Sequence, residues 1–330
     1  KHFGTDHHEF FVRPELISVL PQLVWAYDEP FADSSMLPTY YVSKLAREHV
    51  TVVLTGDGGD EIFGGYTSYQ REISIARIPK LLRYLLGYGS TLMPDGMRGK
   101  NRLGNLRRSF AERCVQASML FPRGSRSSMY SSEYFAQVCD HDPFERLVAE
   151  FHNVSDLNIT AQQQYVDART YLVDDILVKV DKASMLNSLE TRAPLLDQHL
   201  VEYVASLPSS IRTRNGTLKY LLKKAAADLL PPEILTRRKQ GFGVPIKHWL
   251  RRDLVDYSHE LLESPRAQQR GIFNPQYIHD LLKSHASTKL VNYSDAIWAL
   301  LCLELWFQIY MDEPPIHVEQ QAQTYITTGR

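Results

Sequence analysis

Residues Thr51–Tyr66 read TVVLTGDGGDEIFGGY, and no other stretch of the chain packs so many groups able to do chemistry. Three acids, Asp57, Asp60 and Glu61, stand among five glycines, Gly56, Gly58, Gly59, Gly64 and Gly65. Acids this close repel one another unless a cation or a basic partner is near. Glycines let the backbone turn tightly and approach a ligand. Amides of such a loop suit phosphate oxygens, and its carboxylates suit the Mg²⁺ that accompanies phosphates. Glycine and aspartate also build ordinary tight turns. Five glycines in ten residues, however, exceed what one turn needs. The preceding Thr51–Thr55 is β-branched or apolar throughout, which predicts a buried parallel strand. In an open α/β sheet the ligand crevice lies just past the carboxyl ends of such strands.

Two later stretches supply basic groups. In Ala168–Glu190, Leu172, Ile176 and Val180 recur every fourth residue with Val173 and Leu177 beside them. This predicts an amphipathic helix. Its far end carries Lys179, Asp181 and Lys182, and then Glu190 and Arg192 in LETRAPLLD. Charges beside an apolar stripe are commonly a solvated helix face, yet this mixture runs straight into an Arg-Ala-Pro turn. Further on, Arg237, Arg238 and Lys239 precede Gly241 and Gly243. A basic cluster on a flexible loop can close over a reaction centre and balance developing negative charge. An exposed basic turn is the alternative. Arg98–Arg108 holds five basic residues, read as a solvated loop in preference to an RNA or phosphate contact. His7 and His8 are adjacent, and on a strand adjacent side chains point to opposite faces, which disfavours a shared metal.

The elements that must position these groups follow from periodicity. A short strand is expected at Glu9–Val12. A helix is expected over Pro14–Asp28, with Leu16, Val19, Leu20, Leu23 and Val24 on one face. After the turn DEPFADSSM comes a second helix with Leu37, Tyr41 and Leu45 in line, ending near Arg47–His49. Helical pieces are expected at Ile75–Leu86, Phe110–Met119, Phe144–His152 and Thr217–Leu229, the last stopped by Pro231 and Pro232. Ile246–Leu262, Pro275–His285 and Asp295–Tyr310 read as further helices, and Asp312–Arg330 as a polar tail. Helix, strand and loop around Thr51–Tyr66 make half of a doubly wound nucleotide fold.

The 330 residues allow two or three domains. With 44% hydrophobic and 23% charged residues the chain reads as a globular protein. A net charge of −1 gives no electrostatic case for nucleic acid or an anionic membrane. Cys114, Cys139 and Cys302 form no CxxC pair. Scattered cysteines argue against a disulfide framework or structural zinc and fit a reducing, cytoplasmic setting. Ala296–Tyr310 is too short and too charged for a membrane span.

Taken together, GTDHHEF (Gly4–Phe10), DEPFADSSMLPTY (Asp28–Tyr40), LTGDGGDEIFGGY (Leu54–Tyr66), DKASMLNSLETRAPLLD (Asp181–Asp197) and RRKQGFGVP (Arg237–Pro245) resemble the synthetase domain of glutamine-dependent asparagine synthetases, a family that also includes β-lactam synthetase. The resemblance implies an α/β fold with a large helical part. Its core would be a partial doubly wound, PP-loop core of the adenine nucleotide α hydrolase-like type that lacks its first strands, followed by a helical C-terminal region. Residues 1–70 would be the remnant of that core, 71–165 a helical insertion, 166–311 the helical synthetase part with the catalytic loop, and 312–330 the tail.

The resemblance also implies the chemistry. ATP adenylates the side-chain carboxylate of aspartate, releasing pyrophosphate, and ammonia attacks the acyl centre. Thr55 and Gly56 match the family's Ser-Gly at the nucleotide. Asp60 matches the aspartate that holds Mg²⁺. Asp57 matches an acidic position, usually glutamate, tied to the acyl-adenylate, and its shorter side chain departs from that pattern. Lys239 matches the lysine that stabilises the charged transition state. Lys182 matches a second lysine near phosphates, with Glu190 and Arg192 as its polar support.

The family's SGGxDS loop and its glutaminase domain are not among these residues. The chain is therefore expected to be a fragment that is inactive, or nearly so, by itself. The resemblance also implies a homodimer. Alternatives are an amidotransferase acting on another carboxylate in polysaccharide or natural-product assembly, a non-catalytic relative, and a PP-loop pyrophosphatase acting on tRNA.

Overall fold

The computed structural model describes residues 2–9, 16–93, 99–121, 123–237, 241–287 and 292–312. Helix α1, Leu16–Tyr27, buries Leu20, Leu23, Val24 and Tyr27, as the 3.6-residue stripe requires. The chain then turns through Asp33. Its carboxylate accepts the Ser35 amide at 2.9 Å and the Ser35 hydroxyl at 2.7 Å. Helix α2, Met36–Arg47, buries Met36, Leu37 and Tyr40 and leads into strand β1, Val52–Leu54.

β1 pairs in parallel with β2, Glu190–Arg192, in the register Val52 to Glu190, Val53 to Thr191 and Leu54 to Arg192. The expectation of a fully buried strand is corrected here. Val52 is 38% exposed and Leu54 74%. Alternate side chains point to opposite faces. Only the Val53 and Thr191 face is covered. Beyond β1, the glycine-acid loop enters the single-turn helix α3, Gly59–Phe63. Gly58 sits at φ +80, and a Cβ there would lie 2.0 Å from Leu196. No side chain is accommodated at that turn.

The helix expected over Ile75–Leu86 is broken by Pro79 into α4, Thr67–Ala76, and α5, Lys80–Gly89. Helices α6, Phe110–Ala117, and α7, Glu145–Asn153, stand where expected. Ser109 and Glu112 close α6 with a capping box. The amphipathic element is longer at its start and shorter at its end than expected. Helix α8, Ile159–Arg169, passes through a π-helical segment, Leu172–Leu177, into α9, Val178–Met185. Ser188, at φ 57, ends the helix, Leu189 tucks under the sheet, and Glu190 falls on β2.

After β2 comes α10, Gln198–Ser206. The helix expected over Thr217–Leu229 shrinks to α11, Tyr220–Ala225, because Lys219 adopts a left-handed backbone before it. Ile246–Leu262 divides into α12, Ile246–Trp249, and α13, Val255–Leu262. Helices α14, Pro275–Ser287, and α15, Ser294–Phe307, follow. Glu9 is not in a strand, and residues 10–12 of that expected strand lie outside the described residues. So does most of the expected tail.

Among the described residues, three apolar clusters hold these elements. The largest joins α1, α2 and α12–α15 through Leu23, Met36, Leu37, Trp298 and Leu301. A second packs Ala111, Val115, Phe151 and Val166. The third sets Ile62 and Phe63 of α3 against Val204 of α10, which anchors the acid loop. Among the described residues no helix is long and apolar enough to cross a membrane.

Candidate active site

A cavity of about 680 Å³ opens beyond the carboxyl end of β1. Val53, Thr55 and Thr191 form the strand side of its lining, Ser43 and Ala46 of α2 another wall, and Lys179 of α9 a third. Gly241, Phe242 and Gly243 of the glycine loop also line it. Thr55 fixes its backbone by donating its amide to the Arg192 carbonyl at 2.8 Å. The Thr55 hydroxyl is buried and has no partner among the described residues. A buried hydroxyl without a partner asks for a ligand atom.

Asp57 and Asp60 line the same cavity. Lys219 Nζ lies 3.2 Å from Asp60 Oδ1. Sequence reasoning missed Lys219, which reads as an ordinary residue at a helix start. It reaches Asp60 because its amide donates to the Gly64 carbonyl at 3.2 Å, pinning its left-handed turn beside the acid loop. Gly65 leaves the room for this pair. A Cβ there would fall 1.8 Å from Asp60 Oδ1 and 2.4 Å from Lys219 Cε. If the cavity takes the Mg²⁺-nucleotide that the sequence resemblance implies, Gly65→Ala is expected to displace Asp60 and Lys219 and weaken that binding at least about tenfold, the worth of one charge-assisted contact. Calorimetric titration with Mg²⁺-ATP checks this, with circular dichroism to show that the fold is kept.

The sequence reading names Lys179 among the charges at the far end of the helix but gives it no role in the site. Its side chain is 9% exposed, and Nζ lies 2.6 Å from Asp33 Oδ2 and 3.8 Å from Asp175 Oδ1. The only signal available was its place one turn beyond Asp175 on the helix. Burial opposes the Asp33 carboxylate, but the Lys179 charge and hydrogen bonds from Lys179 and Ser35 outweigh it and hold Asp33 below its usual range. Asp175 goes the other way. Burial and then the Asp33 charge push it up to about 7.

The sign of the linkage follows from that difference. Between about pH 4 and pH 7 the folded chain keeps the Asp175 proton while the unfolded chain has lost it. Asp175 therefore makes stability fall as pH rises through that window. Asp175→Asn is expected to remove that part of the slope, about 1–2 kcal/mol after allowing for solvent screening. Urea denaturation of both proteins at several pH values within the window checks it. Parallel curves would contradict it.

Tyr66 and Tyr171 wall one side of the cavity, their rings 5.9 Å apart and steeply inclined. The Tyr66 hydroxyl donates to the buried Glu61 carboxylate. Burial, and then neighbouring acids, raise both phenols, so they stay neutral donors at pH 7.

The remaining sequence candidates stand elsewhere. Lys182 turns to Asp28, 2.8 Å away, and does not line the cavity. Glu190 and Arg192 flank Thr191 on β2 and point to the opposite, exposed face, paired at 2.7 Å. Gly56 is exposed at the turn after β1. Lys239 and Arg238 lie outside the described residues. His7 and His8 are exposed, and no cluster of three potential metal ligands occurs among the described residues. Cys302 is fully buried and Cys139 exposed, while burial lifts the Cys114 thiol to about 12. None is poised as a nucleophile.

The donor set suits magnesium. Asp57 and Asp60 offer hard carboxylate oxygens in the cavity lining, and no imidazole or thiolate stands among its described lining residues. Mg²⁺ is commonly bound by one or two carboxylates plus substrate phosphates, without an all-protein cage.

A family model described as asparagine synthase matches residues 1–308. The chain is 35% identical over 328 residues to asparagine synthetase [glutamine-hydrolyzing] 1 of Bacillus subtilis (strain 168), covering 97% of this chain and 51% of that protein. It is 34% identical over 314 residues to a putative asparagine synthetase [glutamine-hydrolyzing] of Mycobacterium bovis, covering 90% and 45%. A more distant match is amidase chyE of Penicillium rubens, 24% identical over 282 residues, covering 74% and 40%. The chain thus spans about half the length of the curated relatives it matches.

Proposed function

The chain belongs to the asparagine synthase family, and from that premise we propose that its first cavity is where ATP activates a carboxylate for amide formation. The carboxylate is the side chain of aspartate, and the products of the first step are β-aspartyl-AMP and pyrophosphate. Ammonia, drawn from glutamine by a glutaminase domain, then displaces AMP to give asparagine. The observation that carries this reading is the placement of Thr55, Asp57 and Asp60 around one cavity just past β1.

Each residue has a physical task. The orphaned Thr55 hydroxyl and the amides after β1 hold nucleotide oxygens. Asp60 and Asp57 would hold Mg²⁺, which when bound would offset the negative charge of the phosphates. Lys219 keeps Asp60 aimed at the cavity. Lys239, two positions before the lining residue Gly241 in the sequence and outside the described residues, keeps the role the resemblance gives it, positive charge to offset the forming pyrophosphate. Tyr171 offers a neutral hydroxyl on the cavity wall, while the Tyr66 hydroxyl is committed to Glu61. Lys182, Glu190 and Arg192 face away from the lining, so the reading places no contact with the reacting atoms on them.

The alternative acceptor, another carboxylate, keeps the same cavity chemistry. The similarity to an amidase favours keeping it in view. The test is pyrophosphate release with ATP and Mg²⁺ against a panel of carboxylates, using the longest natural form of the protein that carries this sequence. Release that requires aspartate supports asparagine synthesis. Release that requires a different carboxylate moves the substrate and keeps the chemistry. No release with any carboxylate, from folded protein, removes the ligase reading.

A further inference from the structure

Helix α5 points its apolar stripe outward. Leu81, Leu85 and Tyr88 recur at helical spacing on one face and are 73%, 61% and 61% exposed. Leu82 and Tyr84 flank them and are exposed too, and Leu92, in the short turn after the helix, is 88% exposed. A surface helix ordinarily turns such a stripe to the core. In α5 the packed side is that of Gly87, which is buried. A Cβ there would lie 3.0 Å from Arg107. Among the described residues, the three apolar clusters take in no residue of α5. Single exposed leucines are ordinary, but a continuous apolar face marks an interaction site.

The charge around this face is one-sided. Arg77–Arg108 carries eight Lys or Arg and one acid, Asp95, a net charge of +7 in a chain of −1 overall. The near-neutral whole therefore conceals a strongly basic segment. Arg77 and Lys80 lead into α5 and are exposed. The short helix Lys100–Asn105, which brings Lys100 and Arg102, packs beside α5. Arg102 and Arg107 are exposed. Arg107 Cζ lies 5.8 Å from the centre of the Tyr88 ring, so a cation stands at the edge of the apolar stripe.

We propose that α5 and the basic segment Lys100–Arg108 dock on an anionic lipid surface. Leu81, Leu85 and Tyr88 enter the boundary between headgroups and acyl chains, and the basic side chains meet the lipid phosphates. Long Lys and Arg side chains reach headgroups while their stems stay on apolar surface, and tyrosines suit the same depth. A second copy of the chain fits poorly, because a two-fold contact through this face would bring the two basic segments together. An RNA would use the charges but leave the leucines without a role, since its bases stack on aromatic rings. The proposal does not depend on the ligase reading, because none of these residues lines the first cavity.

The test is co-sedimentation with vesicles of phosphatidylglycerol and phosphatidylcholine in equal parts, beside vesicles of phosphatidylcholine alone. The longest natural form of the protein that carries this sequence is used, with no nucleotide present. The expected result is partition to the anionic vesicles, at least about tenfold stronger than to the neutral ones and weakened by salt. Leu81→Gln with Leu85→Gln should weaken it at least about tenfold, since both lose apolar burial in the boundary. Arg102→Gln with Arg107→Gln should weaken it roughly thirtyfold, at about fivefold per charge. All four side chains are exposed, so both variants are expected to keep the native circular dichroism and melting temperature. Three results would overturn the proposal: no partition to anionic vesicles, equal partition to neutral ones, or undiminished partition of the leucine variant. The last would leave a purely electrostatic surface of the kind that holds RNA.

Discussion

Lys179→Ala is expected to destabilise the chain by about 3–5 kcal/mol, the cost of stripping one partner from a buried ion pair. Lys179 and Asp33 meet at 2.6 Å with side chains 9% and 20% exposed. Removing the ammonium leaves Asp33 beside Asp175 with no cation to offset either. The backbone around Lys179 is tied separately, since its carbonyl accepts the Tyr27 hydroxyl at 2.9 Å. The damage should therefore be electrostatic and reversible by charge removal. The double variant Lys179→Met with Asp33→Asn is expected to recover at least half of the loss, because a neutral pair carries little desolvation cost. Guanidinium denaturation of the native, single and double variants measures both. A single-variant loss below about 1 kcal/mol would show that the pair is effectively solvated.

Asp60→Asn is expected to lower pyrophosphate release by about 10²–10³-fold while leaving stability nearly unchanged. That range is what one preorganised electrostatic group is worth in a reaction that concentrates charge. Asp60 is half-buried and its partner Lys219 is 30% exposed, so the pair is a small contributor to folding. The amide still accepts a hydrogen bond from Lys219 but is a poor magnesium ligand. The Mg²⁺ concentration giving half-maximal rate should rise in step with the loss of rate. A fall of less than about threefold would remove Asp60 from the metal-holding role.

Much of the site was legible because it is local. The run from Val52 to Tyr66 announces a strand, a glycine turn and two carboxylates, and the structure sets Thr55, Asp57 and Asp60 around one cavity. The stripe of α1 was equally plain, since burial enforces periodicity; of the stripe expected at Leu172, Val173, Ile176, Leu177 and Val180 only Leu172 is buried, and Val173 is 49% exposed. What sequence could not give were contacts between residues far apart. Lys219 meets Asp60 across 159 positions, and Lys179 meets Asp33 across 146. Neither has a periodic or spacing signal. The faces of β2 were hidden for another reason. Glu190 and Arg192 look like site residues by type, but the parity of a three-residue strand sends Thr191 to the cavity and both charges outward. Helix ends were misjudged where a single backbone angle decides, as at Ser188 and Lys219.

The central claim is that the first cavity transfers adenylate to a carboxylate. Oxygen-18 placed in the side-chain carboxylate of aspartate follows that bond directly. With ATP, Mg²⁺ and a nitrogen source, the account predicts one labelled oxygen in the AMP released and none in pyrophosphate. Label in inorganic phosphate would indicate an acyl phosphate. AMP formed without label would mean that ATP is cleaved by water, and either result would contradict carboxylate adenylation at Thr55–Asp60.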